Sequence, residues 1–141
     1  MLKAKIYSVG KTKEAWLIDA LAEYETRLQA FLSLDWILAK SEDQLEALLA
    51  KESYFICLDP KGTVVTSEQF SSFLFKQFTA QGSRLSFAIG GDLGFSSSIK
   101  SKAGSLLSLS SMTFTHQLTR LVLIEQFYRA VEIQKGSKYH K

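Results

Sequence analysis

The period of apolar and polar positions changes repeatedly along the chain, and each change marks a predicted element boundary. Leu2 to Val9 alternates in the manner of a strand until Gly10 breaks the run. From Lys13 to Phe31 the residues Leu17, Leu21, Tyr24, Leu28 and Phe31 recur at three- and four-residue steps, which places them on one face of a helix. Leu34 to Leu38 is a short apolar run that predicts a second strand. Ser41, three residues before Gln44, predicts a capping box opening a helix that carries Leu45, Leu48 and Leu49.

Tyr54 to Leu58 is apolar without alternation, the pattern of a strand buried on both faces, and it is expected to stop at Asp59-Pro60-Lys61-Gly62. Thr66 and Gln69 predict a second capping box, followed by a helix with Phe70, Phe73, Leu74 and Phe78 on its apolar face. Leu85 to Ile89 predicts a strand that ends at Gly90-Gly91-Asp92-Leu93-Gly94. The serine-rich stretch after Phe95 keeps Ile99, Ala103, Leu106 and Leu107 at helical spacing, which predicts a short helix and then a loop. Met112 to Phe114 reads as a brief strand. Leu118 to Gln134 reads as a long helix that is apolar on more than one side and so needs cover on more than one side.

Five strand-plus-helix pairs in alternation predict an α/β fold with a largely parallel sheet flanked by helices. Ligands of such folds collect at the carboxyl ends of the strands. Those ends are Leu58-Asp59, Gly90-Gly91 and Phe114-Thr115-His116, so three loops are expected to converge on one site. With 141 residues, 46% of them hydrophobic, and neither linker nor repeat, a single domain spanning 1–141 is expected.

Composition narrows the chemistry. Cys57 is the only cysteine and lies within an apolar strand, which excludes an internal disulfide and makes a poor nucleophile. His116 and His140 are the only histidines, too few with one cysteine for the usual soft metal set, so no metal is expected. No apolar run approaches the ~20 residues that span a bilayer, and the first ten residues lack a signal-peptide core, so a cytoplasmic protein with no membrane partner is expected. The net charge of +3 conceals unlike halves: residues 1–70 sum to −3 and residues 71–141 to +6. A polyanionic partner for the second half is one reading, and an uneven surface is the other.

The glycine loop lacks the G-x-G-x-x-G spacing of a dinucleotide fingerprint, and no phosphate-binding Gly-Lys-Ser/Thr occurs. Its glycines either bring backbone amides close to a ligand or make a plain tight turn. Near the end of the chain, Arg120, Arg129, Lys135, Lys138, Tyr139, His140 and Lys141 combine cations, an aromatic ring and an imidazole. Such a group can hold phosphate, stack on a base and move a proton, or it can be a frayed terminus.

Taken together, several segments resemble one family. They are Leu109-Ser110-Ser111-Met112-Thr113-Phe114-Thr115-His116-Gln117, Arg120, Leu123-Ile124-Glu125-Gln126-Phe127-Tyr128-Arg129-Ala130, and the closing Gly136-Ser137-Lys138-Tyr139-His140-Lys141. The sequence is similar in these segments to the ribosomal RNA large subunit methyltransferase H family. The likeness extends to Ile6-Tyr7-Ser8-Val9-Gly10-Lys11, to Leu58-Asp59 and to the glycine loop. Departures are a shorter stretch between Ala39 and Tyr54, Asp92-Leu93 within the loop, and Thr115 where a proline is expected before the histidine.

The resemblance implies a SPOUT-type α/β fold with a C-terminal trefoil knot. It implies an enzyme that uses S-adenosyl-L-methionine to methylate N3 of pseudouridine 1915 in 23S rRNA, with assembled ribosomes as its substrate. It also implies a homodimer in which one subunit's tail completes the other's active site. Carried over by position, Leu58, Gly90, Gly91, Leu109, Ser110, Ser111, Met112, Thr113 and Phe114 would bind the cofactor. Arg120, Arg129, Tyr139 and His140 would face RNA, and His140 is the candidate base for the N3 proton. Two rival readings stand beside this one: a non-catalytic RNA-binding or ribosome-associated module, and a SPOUT methyltransferase acting on another RNA.

Overall fold

Strands and helices alternate throughout residues 1–141 of the computed structural model. In chain order they are β1 (Leu2–Val9), α1 (Ala15–Leu28), β2 (Leu32–Ala39), α2 (Glu42–Leu49), β3 (Ile56–Val64), α3 (Ser67–Ala80), β4 (Arg84–Ile89), α4 (Ser97–Lys102), β5 (Ser105–Ser108) and α5 (His116–Lys135). The strands form one sheet in the order β2-β1-β4-β3-β5, and every neighbouring pair is parallel.

Both faces of the sheet are covered, which is why Ile56-Cys57-Leu58 and Phe87-Ala88-Ile89 run apolar without a polar side. Ile6, Ile56, Leu58, Phe87 and Ile89 point to one face, where they meet Leu17 and Leu28 of α1, Phe70 and Leu74 of α3, and Leu123, Ile124 and Phe127 of α5. Tyr7, Cys57 and Ala88 point to the other face, against Leu45 and Leu49 of α2 and Ile99 of α4. Helix α5 packs on both α1 and α3, which accounts for its broad apolar surface. Phe127 sits at the centre of this layer, 5.1 Å from the Phe87 ring and 6.1 Å from that of Phe70.

The helix starts follow local chemistry. Thr66 and Gln69 form a complete capping box at α3. At α2, Ser41 Oγ accepts from Gln44 N as expected, but Gln44 Oε1 accepts from Lys40 N, one residue further back than a capping box requires.

Three differences from the sequence expectation bear on the fold. Helix α1 ends at Leu28, because β2 begins pairing with β1 at Leu32 and draws Phe31 out of helical register. Strand β3 does not stop at Asp59: Leu58 and Thr63 both pair with Leu107 of β5, so Asp59–Gly62 bulge outward and the strand resumes. Gly62 permits this, since a Cβ there would lie 2.7 Å from backbone atoms of Leu106 and Leu107. The last strand is Ser105–Ser108, not Met112–Phe114. Leu106 and Leu107 belong to it, and Met112 lies in a loop, 75% exposed. No helix is long and apolar enough to cross a membrane.

Candidate functional site

The bulge of β3 and the carboxyl ends of β4 and β5 open onto one cavity of about 410 Å3. Its walls come from Leu58-Asp59-Pro60, from Ile89 to Asp92 with Gly94 and Phe95, and from the loop joining β5 to α5 with the first turn of α5. Of the residues expected to bind a cofactor, Leu58, Gly90, Gly91, Leu109, Ser110, Met112, Thr113 and Phe114 all line this cavity. Ser111, exposed on the same loop, does not. The convergence expected from Phe114-Thr115-His116 comes about without a strand there, because the loop after β5 brings these residues to the same place.

The walls are held by the chain's own polar groups. Ser108 Oγ donates to Ser110 O at 2.7 Å, and Ser110 Oγ accepts from Met112 N at 2.9 Å, so these two serines brace the loop internally. Thr115 caps α5 by accepting from Leu118 N. The Asp59 carboxylate is buried, accepts from Lys61 N at 2.8 Å and pairs with Lys100 Nζ at 3.2 Å. The glycine loop is tied to α2: Glu42 accepts from Leu93 N, and Glu46 takes both the N–H and the hydroxyl of Ser96. Glu42 Oε1 occupies the place a Cβ on Gly91 would need, so a side chain there would push the carboxylate away from the loop it clasps.

Sequence reasoning did not assign His116 a role, yet it lies on the cavity wall. Its Nδ1 is buried without a hydrogen-bond partner, 3.3 Å from Asp92 Oδ1 but outside hydrogen-bond geometry. The signal available was its place in Phe114-Thr115-His116, one of the three segments expected to converge on the site. No cluster of three or more His, Cys, Asp or Glu side chains is placed to hold a metal. Cys57 is buried within β3 against the α2 and α4 layer, and burial pushes its thiol up to about 12.

The residues expected to face RNA divide into two groups, and neither lines the cavity. Arg120 is fully buried, which corrects its expected role as a phosphate contact. Its guanidinium donates to Ser8 Oγ, Thr12 Oγ1, Val9 O and Gly10 O at 2.7–3.1 Å, and so ties α5 to the turn after β1. Its charge has no carboxylate partner, and burial lowers its pKa. Arg129, Tyr139 and His140 form the second group. Gly136 adopts a left-handed φ of 71°, which turns the chain back along α5. Tyr139 then packs edge-on against Tyr128 at 4.8 Å and donates to Glu125 at 3.0 Å. Arg129 pairs with Glu125 and donates from Nη1 to His140 Nδ1 at 3.1 Å, so His140 Nε2 carries the ring proton and donates it to Glu68 Oε1. The tail is docked, not frayed.

Comparison with known proteins agrees with this geometry. Residues 2–140 match the family model described as "Predicted SPOUT methyltransferase". A protein named "Ribosomal RNA large subunit methyltransferase H" from Protochlamydia amoebophila (strain UWE25) is 53% identical over 141 residues, covering all of both chains. Another of that name from Streptococcus equi subsp. zooepidemicus (strain MGCS10565) is 42% identical over 160 residues, covering 99% of this chain and all of the relative. Among solved structures, a Legionella pneumophila methyltransferase with bound cofactor SAM superimposes with a TM-score of 0.53 at 14% identity, over 92% of this chain and 66% of the other. A methylase family protein of Haemophilus influenzae Rd KW20 gives 0.56 at 13% identity, over 96% and 67%. These two likenesses bear on the fold, a parallel sheet between helices, and the full-length matches bear on the lineage. The chain belongs to the SPOUT methyltransferase family.

Proposed function

We infer that this enzyme binds S-adenosyl-L-methionine in the cavity between the β3 bulge and the ends of β4 and β5. Its proposed reaction is methylation of N3 of pseudouridine 1915 in the 23S rRNA of cytoplasmic ribosomes. The observation that carries the reading is the assembly of Leu58, Gly90, Gly91 and the Leu109–Phe114 loop around one cavity, in a chain 53% identical over its whole length to a protein named for this class of reaction. The cavity suits the cofactor. Its volume is in the usual range for small-molecule sites, Leu58, Ile89, Leu109 and Met112 offer apolar wall to an uncharged adenine, and His116 Nδ1 is a polar atom awaiting a partner.

When bound, S-adenosyl-L-methionine supplies an electrophilic methyl group on a cationic sulfur. The chain's own task is to hold two reactants in line and to receive the N3 proton. Positioning of that kind contributes up to roughly 7–11 kcal/mol to such reactions. Leu58, Gly90, Gly91, Leu109, Ser110, Met112, Thr113 and Phe114 would fix one reactant. Arg129 and Tyr139 would grip the RNA, and His140 would take the proton. His140 lies outside its own chain's cavity, so in this reading a homodimer presents the tail of one copy to the cavity of the other. The docked imidazole also has both nitrogens engaged, by Arg129 and by Glu68, so the tail must let go of one of them before the ring can act as a base.

Calorimetric titration with S-adenosyl-L-methionine, together with sizing in solution, tests the reading. A dimer that binds one cofactor per chain and methylates ribosomes containing the pseudouridine, but not ribosomes lacking it, is the expected result. A monomer that binds no cofactor even with ribosomes present would leave the RNA-binding module in its place.

A further inference from the structure

The mechanism above makes no use of His116, and the inference that follows rests on the proposed cofactor and RNA reading. The hydrogen bonds around Gln117 assign the tautomer of the neighbouring imidazole. Gln117 Oε1 accepts from Lys13 N at 3.1 Å and Nε2 donates to Lys11 O at 3.0 Å, which fixes which end of the amide is nitrogen. The second N–H of that amide faces His116 Nε2 at 3.4 Å. His116 Nε2 is therefore the acceptor, and the neutral ring carries its proton on Nδ1. That N–H is buried and unpartnered, on a residue that lines the cavity. A buried donor without an acceptor is costly and uncommon, and where one survives beside a cavity it calls for a ligand. Asp92 does not satisfy it: its carboxylate stands 88% exposed, and its nearer oxygen, 3.3 Å away, is off the hydrogen-bond direction.

We propose that His116 Nδ1–H is a hydrogen-bond donor to a negatively charged oxygen of the molecule held in this cavity. It stands at the first turn of α5, where unpaired backbone N–H groups favour negative charge as well. Two oxygens of this chemistry belong to the reactants: the carboxylate of the cofactor's amino-acid portion, and a carbonyl oxygen flanking N3 of the target base, which gains charge as N3 loses its proton. In the second case the residue would act as a fixed donor to a developing oxyanion.

The test uses the full chain and compares His116→Leu, which has no donor, with His116→Asn, which keeps an N–H near the position of Nδ1. Binding of S-adenosylhomocysteine and of 5′-methylthioadenosine, which lacks the carboxylate, is measured alongside single-turnover methylation at saturating reactants. If the carboxylate is the partner, His116→Leu weakens S-adenosylhomocysteine about 10- to 100-fold and leaves 5′-methylthioadenosine unchanged. If the base is the partner, both affinities hold and the single-turnover rate falls by a similar factor. In either case His116→Asn recovers most of the loss. Equal losses for both ligands with no recovery in His116→Asn, the same losses from Asp92→Ala, or no effect in any assay would each overturn the proposal. Should His116→Leu fail to fold by thermal unfolding, His116→Asp against His116→Asn makes the same comparison, acceptor against donor. A wild-type chain that binds neither nucleoside refutes the cofactor reading itself and is told apart by that control.

Discussion

Replacing Arg120 by Met separates two roles that the sequence alone could not distinguish. The guanidinium is fully buried and reaches four acceptors, two of them the carbonyls of Val9 and Gly10 in the turn between β1 and α1. Methionine approximates the stem but leaves both carbonyls without that donor, at a cost of about 1–3 kcal/mol for each acceptor that stays dry. The hydroxyls of Ser8 and Thr12 can rotate to other partners. Removing a buried charge that has no carboxylate recovers part of its desolvation cost. The balance is a loss of about 2–4 kcal/mol, a large part of the roughly 5–15 kcal/mol that holds an ordinary domain folded. Urea unfolding followed by far-UV circular dichroism should show a midpoint lowered by that loss divided by the slope, with the slope unchanged. RNA affinity, where the variant is folded, should keep its wild-type dependence on salt. A variant within about 1 kcal/mol of wild type whose salt slope has fallen by about 0.7–0.9 would show Arg120 to be a phosphate ligand after all.

Three further outcomes are expected. Gly91→Ala should weaken S-adenosyl-L-methionine binding about tenfold, because the new Cβ pushes aside the Glu42 carboxylate that clasps the loop; Glu42→Ala should cost about as much by itself and add little to Gly91→Ala, and calorimetry that finds the two changes strictly additive would exclude the clasp. Stability should fall as pH rises above about 9. The Cys57 thiol is held protonated up to about 12, and burial likewise raises the Tyr7 hydroxyl, while the unfolded chain ionises earlier and binds fewer protons; Cys57→Ala should flatten part of this fall in urea titrations run between pH 8 and 11. His140→Ala should slow single-turnover methylation about 100-fold or more without changing cofactor affinity, since the residues proposed to hold the cofactor lie elsewhere, from Leu58 to Phe114; an unchanged rate at saturating RNA would remove it as the base.

Much of the fold was legible because it rests on short-range pattern. The alternation of Leu2 to Val9, the stripe from Leu17 to Leu28, and the Thr66–Gln69 box each depend on neighbours within one or two turns. The cavity was legible for the same reason, since Leu58 and Gly90-Gly91 fall where apolar runs end. What escaped depends on distant partners. Asp59-Pro60-Lys61-Gly62 carries every local mark of a stop, yet pairing with Leu107 and Ser108 draws Thr63 and Val64 back into the sheet. Leu106 and Leu107 continue the helical spacing of Ile99 and Ala103, and only their ladder with β3 makes them a strand. The burial of Arg120 is decided by two backbone carbonyls more than 100 residues earlier, groups to which sequence gives no distinguishing side chain. His116 is legible as a residue, but its proton is legible only through the amide of Gln117.

The order β2-β1-β4-β3-β5 also sets a schedule for biosynthesis. Strand β1 is made first, but one of its flanks waits for β4 at residues 84–89, and the turn that follows it waits for Arg120. The helix layer over that face closes only with α5, which begins at His116. A domain growing from its amino end would therefore hold an incompletely covered sheet through most of translation, and its decisive contacts span long stretches of chain. Folding should then be late and slow for the chain's size, with a nascent form truncated before α5 exposing apolar sheet and depending on chaperones until the final helix arrives.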